Sequence, residues 1–501
     1  MLTRQDFPLL TVTDIRRLEQ ALFEIEESYA VMQRAALGLF EVITGDFPQA
    51  LPGQTVHVVL GSGNNAGDGL EVATLLKQAG FSVIAYCVFE QPFSGDADEA
   101  YIIAKNTGVK IGSFFSFDCG DDDIIVEALF GIGFDRPAKG LVKVAIEHVN
   151  LTKKQQPNVT VYAVDVPTGI VADTGARLGE CVMADKTVTF IADKIGLHTS
   201  DGKGAAGKVI VKDLGADLCH AHRSATHFYY TYRQREVPQH GNRHKGNFGH
   251  TLVVGGNQGM FGATALASVS ALKVGVGKAS VYSHPDYHSQ FHWRGTPLYE
   301  VMRCLDISNI AAYSAIVLGP GLGRNTWGIN TFDQVIEQLN KQRLLIDADG
   351  LYHLSNLSTN ELDGLIESSG IDVITPHEAE AARLLDCRID AIRADKPIAV
   401  RQLAQQYRCI AVLKGAGSLI SDGEAVWINT TGNINLATAG TGDVLAGMIG
   451  GYLAQGLSPL EAALYGVYQH GLAADTYLAK YRQKSMRASD LWQFFHKTAP
   501  S

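Results

Sequence analysis

The sequence has no C-x-x-C pair, no apolar run of membrane-spanning length, no surplus of basic charge, and no short-period repeat or low-complexity tract. Its seven cysteines are scattered without metal-ligand spacing. They read as reduced, mostly structural thiols in a cytosolic setting. The opening residues, MLTRQDFPLL, carry Asp6 and lack a sustained apolar stretch, so no secretory leader is expected and the expected location is the cytoplasm. A formal net charge of -10 argues against broad binding to nucleic acid or to an anionic membrane, and leaves room only for a local basic pocket. What is present is a globular composition, 46% hydrophobic and 19% charged, in 501 residues, enough for two or three domains.

From Val12 to about Ile43 the pattern is helical, and its apolar stripe YAVMQRAALGLFEVI reads as core packing or as an oligomer contact. A homo-oligomer is the expectation. Gln54 to Leu60 reads as a buried strand, GSGNNAGDG as a loop, Leu70 to Gln78 as a helix and FSVIAYCVF as the next strand. That is a βαβ unit, and repeated units make a parallel sheet. Further strands are expected at Ile124 to Phe130 and Val159 to Val164, with edge strands before Gly215. The stretch 216–239 is polar and aperiodic and reads as a linker between domains at 1–215 and 240–501. Beyond it, strands are expected in HTLVVGG, KASVYSH, AIVLGPG, LLIDADG, DVITPH and IAVLKG, several ending in glycine or polar loops. The expected fold class is therefore α/β, with two doubly wound domains, the first a Rossmann-like three-layer sandwich.

Loops at the carboxyl ends of parallel strands are where such sheets bind ligands. In the first half three loops stand there: Gly61 to Gly69, Gly131 to Pro137 (GIGFDRP) and Asp165 to Gly169 (DVPTG). Gly61 to Ala66 fits a dinucleotide fingerprint, and Glu90 falls where a ribose-binding acid would sit, so a dehydrogenase is a competitor. Asn64, Asn65 and Asp68 instead suit specific polar recognition, and Asn65 with the Thr168 hydroxyl offers hard oxygen ligands to a cation. In the second half, Thr441-Gly442-Asp443 opens an apolar helical run, with glycines at 440, 442 and 447. Unpaired amides at a helix mouth suit a phosphate, and a carboxylate there can take a proton from an attacking hydroxyl. An ordinary helix start would carry an aspartate in the same place. Four loops are expected to converge on Asp443: GGNQGMFGA, GPGLGR, TPHE and KGAGS, the last offering the Lys414 ammonium and the amides of Gly415 to Ser418.

Two resemblances narrow this reading. GSGNNAGDG, ALFGIGFDRP and DVPTG, in that order, resemble the NAD(P)H-hydrate epimerase domain over roughly Val12 to Gly215. The likeness implies that Asn64, Asn65, Ala66, Gly67, Asp68, Gly131, Ile132, Gly133, Phe134, Asp135, Arg136, Pro137 and Asp165 contact a hydrated nicotinamide nucleotide. It also implies that Asn65, Glu127 and Thr168 hold potassium, and Asp165 is expected to handle the proton. Ala66 stands where that family usually has Gly, and Glu127 where it usually has Asp. From His240 onward, GNQGMFGA, GPGLG, TPHEAE, VLKGAGSLI and ATAGTGDVLAG resemble the NAD(P)H-hydrate dehydratase branch of the ribokinase-like fold, a three-layer sandwich. This places hydrated nucleotide on Ala263, Gly321 or Gly323, His377 and Asp443, and the adenine nucleotide on Lys414, Gly415, Ala416, Gly417, Ser418 and Gly442. Ser418 stands where Thr is common. ADP, with magnesium, is the implied co-substrate.

The leading expectation is a bifunctional repair enzyme that epimerises hydrated NADH or NADPH and dehydrates the S form at the expense of ADP. A hydroxymethylpyrimidine-type kinase with a regulatory N-terminal domain would instead form a stable phosphorylated product. A nucleotide-sensing binding protein would show no turnover.

Overall fold

The computed structural model describes residues 4–49, 51, 53–90, 93–232, 244–287, 299–368 and 370–495. The chain divides into two compact units, Pro8–His227 on one side and Met1–Phe7 with Phe228–Ser501 on the other. The strands in chain order are β1 (Arg4–Leu9), β2 (Thr55–Leu60), β3 (Ser82–Cys87), β4 (Lys110–Ser113), β5 (Ile124–Ala128), β6 (Thr160–Val164), β7 (Lys186–Phe190), β8 (Lys208–Lys212) and β9 (His227–Tyr232). They continue with β10 (His250–Val254), β11 (Lys278–Tyr282), β12 (Val301–Arg303), β13 (Ala315–Leu318), β14 (Arg343–Ile346), β15 (Val373–Ile374), β16 (Ile410–Leu413), β17 (Leu419–Ser421) and β18 (Val426–Asn429).

In the first unit seven parallel strands run in the order β4-β3-β2-β5-β6-β7-β8. The chain leaves β2 toward one edge and returns on its other side, so the order reverses between β2 and β5. Both sheet faces are covered, because side chains alternate along a strand and both sets here are apolar. Val56, Val58 and Leu60 pack with residues of the helices Ser28–Asp46 and Asn64–Gln78. Val59, Ile125 and Val161 pack on the opposite face with the helix Gly140–Gln155. The helical pattern expected from Val12 breaks into Val12–Phe23 and Ser28–Asp46 around a glutamate-rich turn, where Glu26 turns back to pair with Arg34. The stripe on the second helix (Val31, Ala35, Leu39 and Ile43) is buried in this unit's own core.

In the second unit the sheet order is β1-β9-β18-β17-β16-β15-β14-β13-β10-β11-β12. The seven strands from β12 to β16 pair in parallel, and β17 and β18 close antiparallel onto β16. Val253, Val317, Leu345 and Val412 share one core with the helices Phe261–Lys273, Thr441–Ala454 and Pro459–Tyr481. Leu252, Ile316 and Leu344, which alternate with them, are also fully buried. The Thr441–Ala454 and Phe261–Lys273 helices approach so closely that a Cβ on Gly447 would strike the Ala267 carbonyl oxygen. Only glycine permits that contact.

Two expectations about local structure change. Asn64 to Gly69 is not a loop but the first turn and a half of a helix, Asn64–Gln78, with Gly63 at its N-cap. Ala66, Gly67 and Gly69 are buried there, so the small residues serve close helix–sheet packing. The stretch read as a linker carries a short helix, Cys219–Ser224, and β9, whose Tyr230 and Tyr232 are buried in the second core. Alternating aromatics in HFYYTY are a strand signal that outweighs the polar surroundings. The rest of that stretch, 233–239, lies outside the described residues, as do 240–243 at the start of the expected second domain.

Candidate functional sites

The first cleft opens where the strand order reverses, at the carboxyl ends of β2, β5 and β6, with a volume of about 360 Å3. Asn64, Asn65, Asp68, Gly131, Ile132, Gly133 and Asp165 line it together. Ala66 and Gly67 turn inward, the latter against Met32. Phe134 is buried against Phe130, with ring centroids 5.8 Å apart, and Asp135 and Arg136 are exposed beyond the cleft. Neither they nor Pro137 lines it.

Asp165 sits at φ 68, which a residue with a side chain rarely adopts. Its Oδ1 accepts from the Lys194 ammonium at 2.9 Å and from the Thr189 hydroxyl at 3.1 Å, and its Oδ2 accepts the Ile132 N–H at 3.2 Å. Sequence reasoning missed Lys194, whose only signal was the adjacent charges Asp193 and Lys194 interrupting an apolar run. It also missed Glu19 on the cleft wall. Burial and the nearby Asp165 charge push Glu19 toward its neutral form. Asp68 is pushed the same way, well above the carboxylate range, by burial and then by Asp165, Glu19 and Glu71.

Glu127 and Thr168 lie beneath this cleft, each fully buried. The Thr168 hydroxyl donates to Glu127 Oε1 at 2.7 Å, the Thr168 N–H to Oε2 at 3.1 Å and the Leu129 N–H to Oε1 at 2.9 Å. Burial raises the Glu127 carboxyl to about 7 against these bonds. No cationic side chain pairs with it among the described residues. Asn65 Nδ2 is buried without a hydrogen-bond partner, while its Oδ1 lies near Gly131. An all-oxygen donor set that includes a buried, uncompensated carboxylate fits a weakly hydrated monovalent cation.

The second cleft, about 370 Å3, is lined by Gly259, Met260, Gly262, Ala263, Gly321, Ala348, Asp349, Glu380 and Asp443. Its walls come from the carboxyl ends of β10, β13, β14 and β15 and from the mouth of the Thr441–Ala454 helix. Gly440 caps that helix at φ 89, a left-handed turn that favours glycine and swings Asp443 into the first turn. Burial, then Asp347, Asp349 and Glu380, raise the Asp443 carboxyl to about 7 against the pull of Lys414. Burial opposes charge on Lys414 too, but Asp347 at 2.7 Å and Glu380 at 3.9 Å outweigh it and hold the ammonium above its usual range. A Cβ on Gly442 would stand 3.7 Å from Lys414 Nζ, so the ammonium faces the same helix mouth.

Other expected residues are committed elsewhere. Gly323 gives its N–H to Asp349 Oδ2 at 2.9 Å and takes the His353 ring at 2.9 Å. His377 caps the helix Glu378–Leu384, its Nδ1 accepting from Ala379 and Glu380. Ser418 closes the Lys414 turn, donating to Gly415 O at 3.1 Å; Ala416 follows Gly415, and Gly417 takes φ 59. Asp347 and Asp349 were not singled out from sequence, although the D-x-D at the end of β14 could have marked them. Ala348 between them has φ 51, a strained backbone on the cleft wall.

Two clefts at strand ends, each with an acid poised near neutrality or pinned by a lysine, define a two-site α/β enzyme acting on small polar ligands. Residues 28–196 match a family described as YjeF-related protein N-terminus, and 251–497 one described as NAD(P)H-hydrate dehydratase. The chain is 33% identical over 489 residues to the bifunctional NAD(P)H-hydrate repair enzyme Nnr of Coxiella burnetii, covering 95% of this chain and 96% of that one. It is also 33% identical to the enzyme of the same name from Escherichia coli K12, covering 96% and 91%. This chain belongs to the family of bifunctional NAD(P)H-hydrate repair enzymes. Among solved structures, the Bacillus subtilis ADP/ATP-dependent NAD(P)H-hydrate dehydratase co-crystallised with ATP and Mg2+ is 25% identical, with TM-score 0.45, and covers 52% of this chain and 91% of that one. No helix of the described residues is long and apolar enough to cross a membrane.

Proposed function

We propose that residues 1–215 epimerise the R and S hydrates of NADH or NADPH in the cytoplasm, and that residues 240–501 dehydrate the S form with ADP, releasing AMP and phosphate. The observation that carries the second activity is Asp443, a half-buried carboxyl raised to about 7 at a helix mouth that also faces Lys414. A ring hydroxyl is a poor leaving group. Asp443 accepts its proton as the oxygen attacks the β-phosphorus of ADP, and the amides at Gly440 to Gly442 meet the charge on the phosphoryl group. The oxygen–phosphorus bond forms, AMP departs, phosphate then leaves as the ring nitrogen's lone pair forms a carbon–nitrogen double bond, and loss of a proton from the adjacent ring carbon to water restores the dihydronicotinamide. No hydride moves.

Lys414 to Ser418 and Gly442 would hold the adenine nucleotide, while Ala263, Gly321 or Gly323, and His377 would hold the hydrate. The Asp349 and Glu380 carboxylates line the same cleft and suit magnesium, which would neutralise phosphate charge. In the first cleft Asp165 handles the proton at the hydrated carbon. Asn65, Glu127 and Thr168 would hold potassium, which supplies a fixed positive charge beside the nucleotide. Incubation with S hydrate and ADP tests the dehydratase: reduced nicotinamide and AMP should appear together. A stable phosphorylated product would support the small-molecule kinase reading instead.

A further inference from the structure

Lys194 lies outside every motif, yet none of it reaches solvent. Its Nζ stands 2.9 Å from Asp165 Oδ1, 2.6 Å from Thr189 Oγ1, 2.8 Å from Phe190 O and 3.2 Å from Ala192 O. Four oxygens around one nitrogen call for an ammonium, which has three protons to donate, rather than an amine. A buried ammonium is costly unless paired, and its counter-charge here is Asp165. At Asp165 the two oxygens differ. Oδ1 is tied inward by Lys194, Thr189 and the Phe190 N–H at 3.3 Å. Oδ2 keeps a single bond, from Ile132, and stands at Gly131 on the cleft wall, 2.8 Å from where a Cβ would be.

Three other carboxyls line the same cleft, Asp68 from the Asn64–Gln78 helix, Glu19 from the Val12–Phe23 helix and Asp96 from the Asp96–Asn106 helix. Lys194, Asp68 and Glu19 act on the Asp165 charge, and the Arg16 guanidinium on the same wall acts on Glu19. Asp68 makes no hydrogen bond or ion pair among the described residues, so nothing holds it as an anion, and burial favours its neutral form.

We propose that Lys194 is a positioning residue of the first cleft: it pins Asp165 through Oδ1 as a carboxylate whose Oδ2 works as the base, while Asp68 serves as the acid. This rests on the epimerase reading. Asp68 protonates the hydroxyl on the hydrated carbon, the carbon–oxygen bond breaks, and water leaves as the ring nitrogen's lone pair forms a carbon–nitrogen double bond. Water then adds to the opposite face, its proton passes to Asp165, and the nitrogen recovers its lone pair. The reverse reaction retraces these steps, and between turnovers the proton on Asp165 returns to Asp68 through water, which restores the pinned carboxylate and the neutral acid, so nothing is consumed. Unlike surroundings of two carboxyls in one site are what separate such roles.

The test uses the full chain and purified R hydrate without ADP, with epimer exchange followed by chromatography across pH. In Lys194→Met the acid limb of kcat/KM should move up by at least about one pH unit, because Asp165 has lost its counter-ion, and exchange should partly recover at high pH. KM should change less than kcat. Thr189→Val keeps the lysine and should shift the limb less, in the same direction. It decides the matter if Lys194→Met does not fold, as judged by near-ultraviolet circular dichroism. A rate that falls equally at every pH, or an unmoved limb in Thr189→Val, would overturn the proposal. If the wild-type chain exchanges no epimers, the epimerase reading itself fails.

Discussion

Lys414 Nζ and Asp347 Oδ1 stand 2.7 Å apart, and the ammonium of this pair also faces the helix mouth that carries Asp443. Lys414 thus offsets the acidic wall formed by Asp347, Asp349 and Glu380. Lys414→Met should raise KM for ADP more than about tenfold, since a charged hydrogen bond to phosphate is worth roughly 1.5–3 kcal/mol. It should also push the Asp443 carboxyl further up. Steady-state kinetics against ADP at several pH values would show both effects.

Asp443 must be ionised to accept a proton, and its carboxyl is raised to about 7. Dehydration kcat/KM should therefore rise with pH through about 7 and level off above it. Below that it should fall roughly tenfold per pH unit. A flat profile between pH ~5 and ~8 would contradict the base assignment.

Glycine at 447 lets two core helices touch backbone to backbone. Gly447→Ala forces them apart and should cost about 1–3 kcal/mol. A thermal melt should show the loss as about 2–4 °C per kcal/mol in a unit of this size. Epimer exchange should survive it.

Potassium, if held by Asn65, Glu127 and Thr168 as proposed, bears on the first site only. Replacing it with choline should slow epimer exchange, because the buried Glu127 carboxylate has no side-chain counter-ion among the described residues. Dehydration of purified S hydrate by the same sample should change little.

Much of this was legible in the sequence because strands buried on both faces read as short apolar runs that end in glycine loops. β2, β5, β6, β10, β13, β14 and β16 all stand where those runs do. The D-x-D at the end of β14 marks Asp347 and Asp349 as a pair, but their grouping with Glu380 and Asp443 was not legible. Asp349 and Glu380 are 31 residues apart (380 − 349) and meet only because β14 and β15 are neighbours. Lys194 was hidden for a similar reason: its partner Asp165 is 29 residues earlier (194 − 165), held at a positive φ that no local pattern announces. The extent of the Asn64–Gln78 helix was obscured because asparagines and glycines, usually loop residues, here start a helix that packs on the sheet. His377 shows the converse, since the position that suggested a ligand is also a helix cap.

The most direct test is to give the purified chain a mixture of hydrate epimers with ADP and follow absorbance of the reduced nicotinamide to its end point. The wild-type chain should convert the whole mixture, Asp165→Asn little beyond the S fraction, and Asp443→Asn none of it while still exchanging epimers. Full dehydration by Asp443→Asn would contradict the account.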